Sequence, residues 1–562
     1  MEIGVKLYGI LILVSVGFLT SCGGGGSESI ETLANIPDVT TPSIDTTNDN
    51  QPVDTNVVVG SVSCPTSNGQ DMITISGKAT FDRVSLDAGG SLDFNNISPQ
   101  PIKEVVVEAL CDDGVVASTT TDVNGDYSFP VPGNMSNAFV RVKAKLLKEG
   151  SPSWDVVVLD ESQVPDLIFA MDSSLFDTET SDIVRNLHAV SGWNGISYSS
   201  TRVAAPFAIL DTIYDTMQLV LIEDSSTEFP PLDVNWSSTN TNGSFYLNNE
   251  ISVLGELNDT DEFDEHVIAH EWGHYFQDVF SRDDSIGGPH SNGDVLDIRV
   301  AFSEGFGNAF SSMVTGDEIY KDSQSVSLST GFTIDIESNT CVNAGWYSEC
   351  SVQSVLYDFF DTANDDSFSL GFSPIYSVLK NSIPDADAMT SIFSFINPFK
   401  NLTTVNATNV DTLLASQSID SITDDIGTGM TANPGVTNQI PVFNAADFPV
   451  SNVCVTGENG GFNGLGVSRF IQFTAPSTSS FTFTASKSSG LTFSDPDMYL
   501  YAKGEVFAAG ESFVSNSESF SASLISGTTY ILEILDFNYS DINYDPSAAG
   551  AVNETCFTVN RI

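Results

Sequence analysis

The chain has 562 residues, 41% of them hydrophobic and 17% charged, which is enough apolar material for several buried cores and excludes wholesale disorder. Nineteen Lys and Arg stand against 74 Asp and Glu, for a formal net charge of −55. A field of that sign repels phosphate backbones and excludes nucleic acid as a partner.

Residues 1–21 combine the basic Lys6 with the apolar run LYGILILVSVGFL, too short for a comfortable membrane span and suited to a secretory signal peptide. Leu19-Thr20-Ser21-Cys22 resembles a bacterial lipobox. The resemblance implies that Cys22 is acylated, with palmitate among its chains, so that the membrane is a partner through a lipid anchor. Gly23 after the cysteine implies delivery to the outer membrane of the cell envelope, facing the periplasm or the outside. Residues 22–57 lack apolar periodicity and are rich in Gly, Ser, Thr, Asp and Pro, the composition of a flexible tether. Six cysteines remain: Cys64, Cys111, Cys341, Cys350, Cys454 and Cys556. In an exported chain they predict disulfides, and the nearest-neighbour pairing (64–111, 341–350, 454–556) keeps each bridge inside one module.

Residues 58–150 alternate in short runs, PIKEVVVEALC and AFVRVKAKLL among them, with an Asn-Gly turn at Asn124-Gly125 between two strands. TTTDVNGDYSFPVP resembles the carboxypeptidase-regulatory-like, prealbumin-type β-sandwich, a spacer or binding platform. Residues 151–445 change character. RVAAPFAILDTIYDTMQLVL has helical spacing, GSFYLNNEISVLGEL predicts a hairpin turning at Asn248-Asn249, and helical patterns follow at 261–280, 295–314 and 349–362. Strands followed by helices make an α+β pattern. Residues 446–562 return to short alternating runs. DPDMYLY and LISGTTYILEIL there resemble the bacterial pre-peptidase C-terminal domain, a jelly-roll-like sandwich. Asp495 and Asp497 are candidate calcium ligands, although a strand-end turn is their plainer use, and nothing in the sequence indicates Ca2+ specifically.

Three of the five histidines lie in DEHVIAHEWGHYF. HEWGH fits H-E-x-x-H: on a helix His270 and His274 share a face and offer two imidazoles to one ion, with Glu271 placed to act on the water. Asp259, Thr260 and Asp261 stand ahead of the helix as capping and first-turn acids, and His266 reads as a partly exposed neighbour. A catalytic zinc wants a third protein ligand. Gln277 and Phe280 stand where a metzincin carries Gly and His, so that class is excluded. Glu304 in DIRVAFSEGFGNAF follows thirty residues after His274, with Ser303, Gly305 and Gly307 permitting close helix approach. The combination resembles the gluzincins, and SEGFGNAF most resembles the glutamate helix of fungalysin-type peptidases. That likeness implies one catalytic Zn2+ held by His270, His274 and Glu304, with Glu271 as general base. His290, Asp294 and Asp297 are competing third ligands, Asp294 having the plainer role of capping the next helix. Arg299 is placed to pair with Asp297 or with a site carboxylate. Thermolysin-like enzymes carry Asp where this chain has Asn308, whose carbonyl accepts an imidazole N–H without supplying charge. No histidine follows residue 290, leaving Tyr347 and Tyr357 as candidate transition-state stabilisers.

The expected whole is multidomain: an α+β zincin-like catalytic domain flanked by two β-sandwich domains. Its expected activity is surface-anchored zinc endopeptidase action on protein or peptide substrates, by a monomer. The strand near 244–248 is a candidate to bind substrate backbone by strand addition. The alternatives are a catalytically inactive zincin-like adhesion lipoprotein and a zinc amidase acting on cell-wall peptides.

Overall fold

A computed structural model describes residues 71–111, 114–324, 330–338, 340–362, 368–430, 440–541, 544–548 and 551–562. The expected signal peptide, the tether, Cys22 and Cys64 lie outside the described residues, and with them the Cys64–Cys111 pairing. The other two pairings form: Cys341–Cys350 and Cys454–Cys556 are disulfides.

The N-terminal strands split between two sheets. Met72–Leu86 pairs with Leu92–Pro101 and with Asp126–Pro132, whereas Gly114–Thr120 pairs with Val105–Cys111. The strands on either side of Asn124-Gly125 therefore do not pair with each other; the turn carries the chain from one sheet to the other. Gly125 is required there, because its φ is +79° and a Cβ would stand 2.4 Å from the Ala79 carbonyl oxygen.

The boundary expected at residue 150 is crossed by a continuous sheet. Ala138–Lys148 pairs antiparallel with Trp154–Asp160, which pairs parallel with Leu232–Trp236. That strand pairs parallel with Glu250–Val253, and Phe245–Leu247 closes the edge. One hydrophobic core runs without a break from Ile73 through the helices that follow. Ion pairs add to the join: Asp211 meets Arg83 at 3.0 Å and Lys103 at 2.8 Å, and Arg83 also meets Glu265. The N-terminal β region is thus one wall of the α+β unit. The predicted hairpin is present, with Asn248 at φ 54° and Asn249 at φ 65°, the left-handed pair that a tight two-residue turn demands.

Seven helices are described: α1 (Ala205–Glu223), α2 (Glu265–Phe280), α3 (Ile298–Thr315), α4 (Glu349–Phe360), α5 (Phe372–Asn381), α6 (Ile392–Lys400) and α7 (Ala407–Ser416). α1 is long and apolar enough to cross a membrane, but 67% of its apolar window is buried inside the protein, as in a core helix. α2 and α3 pack through aromatic rings, Trp272 and Phe276 stacking on Phe310 at 5.6 and 6.0 Å.

The C-terminal region is a two-sheet sandwich with its own core. It begins slightly before residue 446, since Val442–Asn444 already pairs with Ser468–Thr474. Asp495 closes a strand end: its N–H donates to Asp536 at 3.2 Å and its carbonyl accepts from Phe537 at 2.8 Å. Asp497 lies within the strand Pro496–Ala502, where burial, with Asp495 next in weight, pushes its carboxyl up to about 7.

The sandwich is clasped to the helical unit by a buried cation. Arg299 donates to Asp297 at 2.9 Å and to Glu533 at 3.0 Å, and its guanidinium lies 4.8 Å from the centre of the Phe470 ring. Tyr501 donates to the same Glu533 at 2.6 Å. Of the partners expected for Arg299, Asp297 is the one found, and Glu533 adds a second from 234 residues away. Removing one member of a fully buried ion pair strands the other. Glu533→Gln is therefore expected to lower stability by about 3 kcal/mol and to separate the melting of the two regions, measurable by calorimetry; one unshifted transition would contradict the clasp.

Candidate metal centre

Helical spacing places His270 and His274 on one face of α2, and α3 crosses that face at close range. Gly273 makes this possible, since its Cβ position lies 3.4 Å from the Gly307 Cα. Gly307 is tighter still: a Cβ there would stand 2.8 Å from His270 Cε1. On the far side of α3, a Cβ on Gly305 would stand 2.6 Å from Val352 Cβ in α4. The small residues noted in SEGFGNAF are therefore clearances on two sides of one helix.

The result is a triangle of donors. His270 Nε2 lies 3.1 Å from His274 Nε2 and 3.2 Å from Glu304 Oε2, and His274 Nε2 lies 3.4 Å from the same oxygen. Tetrahedral zinc with bonds of about 2.0–2.1 Å spaces its ligands about 3.3 Å apart, so the triangle fits such an ion. The remote nitrogens are anchored so that both Nε2 atoms face one point. His270 Nδ1 meets Asn308 Oδ1 at 2.8 Å, and His274 Nδ1 meets Ser303 Oγ at 3.1 Å. Ser303 in turn donates to Asp283 at 2.9 Å. Glu271 is 1% exposed, and its Oε1 has no hydrogen-bond partner among the described residues. A carboxylate oxygen so placed needs water or a ligand.

Two residues complete the arrangement. Glu349, the first residue of α4, accepts from Asn308 Nδ2 at 3.0 Å through Oε1 and meets His290 Nδ1 at 2.9 Å through Oε2. It fixes the orientation of the Asn308 amide: the NH2 must face Glu349, so the carbonyl faces His270. The charge that Asn308 lacks is thus supplied one bond further out. His290, from the loop between α2 and α3, brings Nε2 within 3.2 Å of Glu304 Oε2, beside the compact triangle. Glu349 carried no signal in the sequence beyond its place in a helix's first turn. His290 was legible as a competing third ligand, and the structure places it beside the triangle, against Glu304 and Glu349.

The other candidates have partners of their own. Asp297, not Asp294, caps α3 by accepting from Arg299 N, while the exposed Asp294 accepts from Ser291 N at 2.8 Å. Tyr347 packs against Trp346, and its carbonyl accepts from Leu296. Tyr357 stands among Glu337, Asp361, Glu318 and Asp317, and burial raises its hydroxyl to about 12. His266 is buried at 3% exposure, not partly exposed, and bonds Ser311 at 3.1 Å. Asp259 and Thr260 form a short strand, so they do not cap α2; Asp264 holds the N-cap position.

Electrostatics favour a cation at the triangle. Burial pushes the Glu304 carboxyl up, but His290 and His274 outweigh it and hold the group well below its ordinary range. For His274, burial disfavours the charged imidazole, yet Glu304 prevails and raises it to about 9. A metal ion would take the place of that proton, so its binding should release protons.

Residues 222–409, which carry both helices, resemble a protease-associated domain, and that likeness makes this a metalloprotease-related protein. The family model of the mycolysin C-terminal domain matches residues 222–409, a stretch containing both helices, the His290 loop and Glu349. No curated protein matches the chain. Among solved structures, the pre-peptidase C-terminal domain of a collagenase from Bacillus anthracis matches at 13% identity, covering 22% of this chain and 100% of that one, with a TM-score of 0.14. The Aeromonas hydrophila protein PliG, a periplasmic inhibitor of g-type lysozyme, matches at 11% identity, covering 22% and 96%, with a TM-score of 0.15.

Two outcomes follow from this geometry. Gly307→Ala is expected to displace the His270 ring and weaken zinc binding at least about tenfold, as loss of ligand orientation does, measured by competition with a chromogenic chelator. Burial drives the His266 imidazole down to about 4, against about 6.5 in the unfolded chain. The unfolded chain protonates first, so this stabilising contribution is whole above pH 6.5 and is lost as pH falls toward 4. His266→Asn should therefore flatten the acid side of the stability profile by about 3 kcal/mol, read from urea melts between pH 4 and 7.

Proposed function

We propose that this protein is a zinc-dependent endopeptidase that hydrolyses peptide bonds, with His270, His274 and Glu304 as zinc ligands and Glu271 as general base. One observation carries the reading: three anchored donor atoms spaced as zinc requires, next to a buried carboxylate whose Oε1 has no hydrogen-bond partner among the described residues. Zinc, when bound, supplies Lewis acidity toward a peptide carbonyl and toward water.

The chain's own residues do the rest. Glu271 Oε1 takes a proton from the attacking water and returns it to the leaving nitrogen. Asn308 and Ser303 hold the two imidazoles in register, and Glu349 holds Asn308. His290, gripped by Glu349 through Nδ1, directs Nε2 into the site and donates to the substrate carbonyl oxygen as charge develops there. This role replaces the one considered for Tyr347 and Tyr357. The strand Phe245–Leu247 is the edge of its sheet and contacts α2, Tyr246 donating to Asp278 at 2.5 Å. An extended substrate adds to that edge, which favours unfolded or flexible polypeptides. The same proposal places the enzyme in the bacterial envelope, anchored through Cys22.

Glu271→Gln is expected to lower kcat/KM on casein-derived peptides by at least about a hundredfold while zinc content stays at one per chain by mass spectrometry. Full activity in that variant would refute the mechanism. Intact zinc with no turnover of any polypeptide by the wild type would favour the adhesion reading, and cleavage confined to peptidoglycan fragments would favour the amidase reading. His290→Gln should lower kcat with zinc retained; loss of zinc instead would make His290 a ligand.

A further inference from the structure

A second group of donors lies just ahead of α2. Asp259, Asp261 and Asp322 each bring a carboxylate oxygen within 4.8 Å of the others. Asp261 and Asp322 are each 1% exposed, and Asp264 beside them is fully buried. One oxygen each of Asp261 and Asp264 is accounted for. Asp261 Oδ2 accepts from Ser244 Oγ at 2.5 Å, and Asp264 Oδ2 accepts from the Ser323 N–H at 2.7 Å and its hydroxyl at 2.9 Å. Their other oxygens are not: Oδ1 of Asp261 and of Asp264, and with them Oδ1 of Asp259, are buried without a hydrogen-bond partner among the described residues. The neighbouring guanidinium of Arg202 is committed to Glu262 at 2.8 Å, Thr260 at 2.7 Å and the Gly255 carbonyl.

Buried carboxylates that face one another are unstable as anions unless a cation joins them. Their titration carries the same message. Burial, followed by Asp322 and Asp259, pushes Asp261 well above its ordinary range, and burial followed by Asp261 does the same to Asp264. The donors are all oxygen, with no sulfur or imidazole, which selects a hard cation. A spread of up to 4.8 Å suits calcium, whose bonds of about 2.3–2.6 Å reach donors on opposite sides, better than magnesium with bonds of about 2.0–2.1 Å.

We propose that Asp259, Asp261 and Asp322, with Asp264 adjoining, form a calcium site that ties the start of α2 to the strand Ile319–Gln324. Asp264 is the N-cap residue of α2 and already holds Ser323 of that strand, so the ion completes an existing join. Its occupancy steadies the helix that carries His270, Glu271 and His274 without touching them. The site stands whether or not the zinc chemistry proposed above is correct.

The test uses the purified full chain, stripped with EGTA and titrated with calcium chloride by calorimetry, with melting followed in parallel. Calcium should raise Tm and bind with one more equivalent in the wild type than in Asp261→Asn. Asp259→Asn, at the half-buried margin, should keep the fold and weaken the response at least about tenfold, so it decides the matter if Asp261→Asn fails to fold. Asp497→Asn, in the C-terminal sandwich, should leave the calcium-induced shift intact. An unchanged shift in Asp259→Asn, an equal shift with magnesium alone, or a calcium-insensitive Tm that rises as pH falls would each overturn the proposal, the last assigning the cluster to shared protons.

Discussion

The separation of α3 from α2 and α4 is the constraint on which the centre depends. Helices bearing ordinary side chains stay 8–10 Å apart, and the glycines at 273, 305 and 307 remove the side chains that would enforce the wider spacing. Only then do a carboxylate from one helix and two imidazoles from another fall within 3.4 Å of one another. The aromatic rings around them serve the same end: Trp272, Phe276, Phe306 and Phe310 fill the space beside the gap, so the helices are held close by packing along their flanks.

Charge is organised in layers around that contact. Glu304 faces three imidazoles, the two of the triangle and that of His290 beside it. Behind it, neutral groups, Asn308 and Ser303, pass the influence of Glu349 and Asp283 to the imidazole nitrogens that face away from the centre. An Asn relay in place of a direct Asp lets one buried carboxylate, Glu349, orient two histidines at once, His270 through the amide and His290 directly. A single acid at the start of α4 thereby coordinates elements that are remote in sequence.

What the sequence disclosed was what is local. His270, Glu271 and His274 sit within five positions, and Asn248-Asn249 form a turn by their own backbone preference, so pattern and structure agree. Glu304 was reachable because its helix carries its own signature of small residues. The join across residue 150 was hidden, because the strand that continues the sheet arrives more than seventy residues later, after a helix, and no spacing rule announces it. The pairing of His290, already a candidate ligand, with Glu349 was hidden for a related reason: one lies in a loop and the other in a helix's first turn, and only the tertiary fold brings them together. The acids at 259, 261 and 264 look in sequence like helix-start residues; their burial against Asp322 depends on a strand sixty residues downstream.

The C-terminal sandwich has a role that its position at the end of the chain conceals. Its loop at Phe462–Leu465 grips the segment bearing His290: Asn463 Nδ2 donates to the Pro289 carbonyl at 2.8 Å, the Asn463 carbonyl accepts from Asp297 N at 2.8 Å, and Leu465 N donates to Val295 at 2.9 Å. Gly288, at φ +105°, lies so close to the Phe462 ring that no side chain fits there. The module is therefore not a detachable passenger but part of the frame of the centre. A homologous sandwich transplanted from another protein would bring its own loop, and with it a different seat for His290.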